Sequence, residues 1–134
     1  MRRALDVSIC ALVWLSLAPF LGGTGFAHDH DHPDQGEWYK TLMQPDNPTM
    51  SCCGTADAYW ADIVHVQGTK TFVTITDDRD DEPLKRPHMP NGTVIEVPNN
   101  KIKWDRGNPT GHAVIFLSRY PYNMVYCYVQ GTGI

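Results

Sequence analysis

Between Ile63 and Val129 no apolar stretch exceeds six residues before glycine, proline or asparagine interrupts it. Spacing of this kind suits short strands and leaves no room for a long helix in that part of the chain. Ile63 and Val66, with His65 between them, lead into Gln67-Gly68-Thr69-Lys70, and Thr71-Phe72-Val73-Thr74-Ile75-Thr76 follows, rich in β-branched residues. That pattern is a β-hairpin closed by a glycine-bearing turn. Asp77 to Pro90 is charged and proline-bearing, and reads as a solvated loop between strands. Thr93 to Val97 predicts a third strand and Lys101 to Trp104 a fourth. Gly107 to Gly111 carries dense turn chemistry. Ala113 to Leu117 is continuously apolar, as a central strand would be, and Met124 to Val129 predicts the last strand.

The expected fold is mainly β, with an α+β arrangement as the variant. It is a small antiparallel sheet, or a partly closed barrel, of five to six strands with one short N-terminal helix packed on it. The helix is predicted over Gln35 to Met43, with Asp34 as its cap and Glu37 at the third position of a capping box. Trp38, Leu42 and Tyr39 would bury one face, and Pro45 and Pro48 end it. A helical turn over Thr55 to Trp60 is expected to pack Tyr59 and Trp60 inward.

The first 27 residues have the parts of a secretory signal: Arg2 and Arg3, an apolar run of 15 residues from Val7 to Leu21, and small residues at Gly25 and Ala27. A bilayer span takes about 20 apolar residues, and Pro19 with Gly22-Gly23 interrupts this run. The predicted organisation is therefore a cleaved signal over 1–27, a flexible His/Asp-rich tail over 28–35 and a single small β domain over 36–134, with no membrane span after cleavage. The destination is the periplasm or the exterior. Taking 27 from 134 leaves 107 residues, enough for one modest core. Arg2, Arg3 and Asp6 leave with the signal, moving the formal charge from −4 to −5. A mildly acidic domain without a basic cluster argues against nucleic acid as a partner.

Cys10 lies in the signal, so Cys52, Cys53 and Cys127 remain. An oxidising compartment favours pairing. Adjacent cysteines bridge each other only under strain, so the expected bond joins the pair to Cys127, through Cys53 with Cys52 as the alternative partner. A thiol–disulfide enzyme would show C-x-x-C opening a helix, and this sequence has none.

Ser51-Cys52-Cys53, Asp57, Tyr59-Trp60-Ala61-Asp62, Asn108-Pro109-Thr110-Gly111 and Val125-Tyr126-Cys127-Tyr128-Val129 together resemble a group of small exported bacterial proteins of unassigned function. The resemblance covers most of the chain after the signal. Members often open with a helix bearing Trp-Tyr or Trp-Phe before the paired cysteines, as Trp38-Tyr39 does. Many carry a further cysteine near the position of Ala58, whose absence would account for the odd thiol. The resemblance implies export and a compact disulfide domain, and supplies no catalytic residue.

His28-Asp29-His30-Asp31-His32 follows the predicted cut directly. Cleavage after Ala27 would free the α-amine of His28. That amine, the deprotonated amides of Asp29 and His30 and the imidazole of His30 offer four nitrogens in a plane, which suits copper or nickel. His32 and the two aspartates would also suit zinc. His28, His30 and His32 are the candidate metal ligands, with copper, nickel or zinc as the ion. In a second mode the amine and ring of His28 bind together with His65, His88 or His112. The aromatic cluster Tyr120, Tyr122, Tyr126 and Tyr128 suggests a different class of function, an interaction module for an envelope protein or polysaccharide, although burial of that face is the favoured reading. A small copper oxidase built on His28 is a third class. No Ser-His-Asp order, phosphate loop or H-E-x-x-H is present, and the leading expectation is non-catalytic metal binding.

Overall fold

The computed structural model describes residues 33–52, 57–119 and 124–131. Among them are seven strands in two sheets, a nine-residue helix α1 (Pro33–Thr41) and a short helix α2 (Asp81–Leu84). The strands are β1 (Ala58–Trp60), β2 (Ile63–Gln67), β3 (Lys70–Thr74), β4 (Val94–Val97), β5 (Ile102–Trp104), β6 (Val114–Leu117) and β7 (Val125–Gln130). One sheet has the order β1-β6-β7-β5 and the other β2-β3-β4. The mainly β class is as expected. The two sheets form no closed barrel, and β5 pairs with β7 in parallel while the other pairs are antiparallel. No helix among the described residues is long and apolar enough to cross a membrane.

The four-stranded sheet is the middle of three layers. Val114 and Phe116 of β6 face Trp38, Tyr39 and Leu42 of the α1 segment, together with Cys52. Ile115 and Leu117 face Val73, Ile75, Ile95 and Val97 of the second sheet. Covered on both faces and flanked by β1 and β7, β6 is apolar at every position, which is why its sequence shows no alternation. In α1, Gln35, Trp38, Tyr39 and then Leu42 are buried at the three-and-four spacing of one helix face. The helix starts two residues earlier than expected, so residues 33–35 belong to it and not to a tail.

The expected helical turn at 55–60 is instead strand β1 over its last three residues. Ala58, Tyr59 and Trp60 pair with Phe116, Ile115 and Val114, and that ladder outweighs the local preference. The hairpin β2–β3 is as read, with Gly68 at φ +62° in its two-residue turn. This is the position at which type II′ hairpins carry glycine.

Cys127 is bonded to Cys52, the alternative of the two candidates, and not to Cys53. Ser51 bridges Met43 and the Cys52 amide donates to the Leu42 carbonyl at 2.9 Å, so this stretch is extended. The Cys52 side chain enters the core beneath α1. Cys53 lies outside the described residues.

A register shift between Phe116 and Leu117 makes Tyr126 an unpaired extra residue in β7. The bulge reverses the alternation. Tyr126 packs beside Cys127 and Val129 on the helix side, whereas Tyr128 joins the core between the sheets. The shared tyrosine face expected from their spacing does not form.

Candidate functional site

The strongest local chemistry gathers where β1 ends and β6 begins. Asp62 follows β1, and its Oδ1 accepts from the Ala113 amide at 2.8 Å. Its Oδ2 accepts from the Thr76 hydroxyl at 3.0 Å and lies 2.8 Å from His112 Nδ1. A carboxylate only accepts, so the shared hydrogen sits on Nδ1. The His112 ring also lies flat on the Trp60 indole, with centroids 3.8 Å apart and planes 13° apart. Hydrogen bond and stack together fix the ring in plane and in rotation.

The turn that delivers His112 is built by Asn-Pro-Thr-Gly. Asn108 Oδ1 accepts from the Thr110 amide at 2.9 Å, and its Nδ2 donates to the His112 carbonyl at 2.7 Å. Gly111 takes the left-handed conformation at φ +73°. A Cβ at Gly131 would sit 2.9 Å from Asn108 Nδ2, so the end of β7 must be bare for the Asn108 side chain to lie against it.

Trp60 joins this group to a second one. The Arg79 guanidinium lies 4.1 Å from the indole ring. Arg79 Nε and Nη2 donate to the two oxygens of Asp77 at 2.9 and 2.6 Å, and the Trp60 amide adds a third bond at 3.0 Å. Arg86 Nη1 reaches the same Asp77 carboxylate at 2.6 Å and the Ala58 carbonyl at 2.8 Å, while Nε bonds Asp81 at 2.7 Å. The side chains of Asp77 and Arg86 are 0% and 1% exposed. Burial alone would raise the Asp77 pKa, but the hydrogen bonds from Arg79, Arg86 and the Trp60 amide outweigh it and hold the carboxyl well below the usual range.

Residues 77–82, expected as a solvated loop, are therefore organised around a buried ion pair. Burial of two charges is tolerated here because nearly every donor and acceptor is used. Asp77, Arg79, Asp81, His88, Met89 and Asn91 border an open pocket of about 350 Å³. His88 Nδ1 lies 2.6 Å from Asp81 Oδ2 at its exposed rim.

Of the other sequence candidates, His28, His30 and His32 lie outside the described residues, as do Tyr120 and Tyr122. His65 is exposed on β2 and pairs across the hairpin with Phe72. His65, His88 and His112 are not brought together, and among the described residues no group of three or more His, Cys, Asp or Glu is placed to hold a metal ion. The sequence treated His112 as one isolated histidine among three. Its signal was present in two separated segments, Tyr59-Trp60-Ala61-Asp62 and Asn108-Pro109-Thr110-Gly111, which meet in the fold.

The chain matches no family model, no curated protein and no solved structure.

Proposed function

We propose that this chain is exported, loses its first 27 residues, and acts without catalysis as a binder of a divalent transition metal, copper, nickel or zinc. The ligands are the α-amine of His28, the deprotonated amides of Asp29 and His30 and the imidazole of His30, with His32 as an auxiliary. The observation that carries the reading is three histidines in five residues immediately before Pro33, at a signal-like cleavage position, with Asp29 supplying an amide able to lose its proton. Its relation to the group of small exported proteins with Ser-Cys-Cys and Tyr-Cys-Tyr motifs is part of the same proposal. Titration of the untagged exported protein with Cu(II) should reveal one tight site. Acetylation of the terminal amine should abolish its high affinity, and equal affinity after acetylation would refute the terminal chelate.

A second reading, an envelope interaction module indifferent to metal, is favoured by one observation. Ile63 and Val94 stand 57% and 61% exposed in register with Thr74 on the outer face of the three-stranded sheet. Retention of binding to an envelope polysaccharide or protein after removal of His28 to His32 would support it, and loss of that binding on substituting Ile63 and Val94 would locate the contact.

A further inference from the structure

Among the described residues one sheet edge is left open, and we infer that a second copy of this chain pairs with it. The contact is β2 against β2, antiparallel, about a two-fold axis at His65. The two sheets end in four edges, β1, β5, β2 and β4. Three of them are guarded. On β1, Arg86 holds the Ala58 carbonyl at 2.8 Å and Asp77 holds the Trp60 amide at 3.0 Å. The Trp60 carbonyl accepts from the Thr76 amide at 2.9 Å. β5 has three residues, carries Lys103 and is flanked by Lys101 and Asp105. β4 carries Glu96 and runs into Pro98. Short length, charge and proline are the devices by which natural sheets prevent edge-to-edge pairing. β2, Ile-Val-His-Val-Gln, has five residues, and none of them is Lys, Arg, Asp, Glu or Pro.

The direction of the free backbone groups follows from the ladder. The Ile75 amide donates to the Thr93 carbonyl, and the Ile75 carbonyl accepts from the Gly92 amide, so Ile75 faces β4. Backbone groups alternate sides along an antiparallel strand. Val73 and Thr71 therefore also face β4, while Thr74, Phe72 and Lys70 face β2. Their partners Ile63, His65 and Gln67 are turned toward β3, and Val64 and Val66 direct N–H and C=O away from the sheet. This arrangement is complementary to itself. An antiparallel second copy sets Val64 against its Val66 and Val66 against its Val64, closing four hydrogen bonds. His65 then meets His65 at the close-spaced position between them.

Side chains and charge agree with that register. Val66 lies on the same sheet face as Thr71 and Val97, which are buried, yet is itself 63% exposed. In the pair it lies beside the second copy's Val64. From Ile63 to Thr69 the chain has no formal charge with histidine neutral. Asp62, just before the strand, comes opposite Gly68, next to the turn that leads into Lys70. Each end of the pair thus holds the Asp62 of one copy and the Lys70 of the other, opposite in sign. The contact is isologous and closes at two copies. A five-residue strand spans only about 17 Å, which places the association in the weak, reversible class. Metal binding plays no part in it.

The test is sedimentation equilibrium of the untagged, oxidised protein over a range of concentrations, with a chelator present so that no metal bridges the copies. A monomer should pass to a species of twice its mass. Val66→Pro removes an outward N–H that no bond to β3 uses, and should weaken the dimer at least about tenfold while thermal unfolding stays close to wild type. Val94→Pro makes the same change on the β4 edge and should leave the dimer unaltered. Register is read separately by cross-linking in oxidised glutathione, in the Cys53→Ser background. His65→Cys should form a disulfide dimer, because the two positions meet at a close-spaced pair. Gln67→Cys should form none, since its two copies stand about 13 Å apart. A protein that stays monomeric at every concentration overturns the inference, as does a dimer that survives Val66→Pro or is lost with Val94→Pro. Equal cross-linking of His65→Cys and Gln67→Cys also overturns it, and does so even if Val66→Pro fails to fold.

Discussion

Arg86 holds Asp77 at 2.6 Å in a pair that solvent does not reach, and the same guanidinium ties the Ala58 carbonyl and the Asp81 carboxylate. One side chain therefore connects the edge strand β1, the loop after β3 and the start of α2. Removing a single partner of such a pair strands a buried charge.

Asp77→Ala leaves Arg86 and Arg79 facing each other without their shared carboxylate. It should destabilise the protein by about 3–5 kcal/mol. Arg86→Met should cost less, because Arg79 still neutralises Asp77. Urea unfolding of the two variants checks the order, and a greater loss for Arg86→Met would contradict it.

The depressed Asp77 pKa sets the direction of acid sensitivity. A carboxyl whose native pKa lies below its unfolded value of about 3.9 adds stability that is complete above that value. The contribution declines with acid below it, and is gone once the pH has fallen through the native pKa. The difference in unfolding free energy between wild type and Asp77→Asn should accordingly be flat from pH 7 to about pH 5 and shrink toward pH 2. A difference that grows with acidification would refute the assignment.

The disulfide assignment is tested by comparing two serine variants. Cys53→Ser should retain the bond, read as a non-reduced mass two hydrogens below the reduced mass. Cys52→Ser removes a cross-link whose partners are 75 positions apart. It should lose about 4 kcal/mol in the chain-entropy picture.

Tyr128 donates its hydroxyl to the Ala61 carbonyl at 2.9 Å within the core, and burial pushes its pKa upward, with the Asp62 carboxylate adding to the effect. Tyr128→Phe keeps the ring but leaves a buried carbonyl without its donor. A loss of about 1–2 kcal/mol in thermal or urea unfolding is expected.

Much of the strand framework was legible because each strand after Trp60 is bounded by turn chemistry. Gly68, the Pro98-Asn99-Asn100 run and Gly107 to Gly111 mark the ends of β2, β4 and β5. Ala58 to Trp60 was misread because its strand identity comes from Phe116, Ile115 and Val114, partners far along the chain. The buried ion pair was misread for a related reason. Asp77 and Arg86 look like ordinary surface residues in a charged run, and only the meeting of β1 with that run encloses them. Tyr126 and Tyr128 failed the period-two rule at a bulge, which the composition of β7 does not announce. The bond at Cys52 and the Asp62–His112 pair depend in the same way on contacts between distant segments.

The Cys52–Cys127 bond also decides how the chain bears mechanical load. A pull applied at its two termini is transmitted from residue 52 straight to residue 127 through sulfur, and the intervening backbone carries none of it. The strands from β1 to the first half of β7, with the Trp60–His112 stack and the Asp77–Arg86 pair, sit inside that slack loop, whereas Tyr128 to Gln130, which pair with β5 and β6, lie outside it. Stretched while oxidised, the molecule should give up only α1 and the end of β7 beyond Cys127, and should pay out the strands between the two cysteines only after reduction.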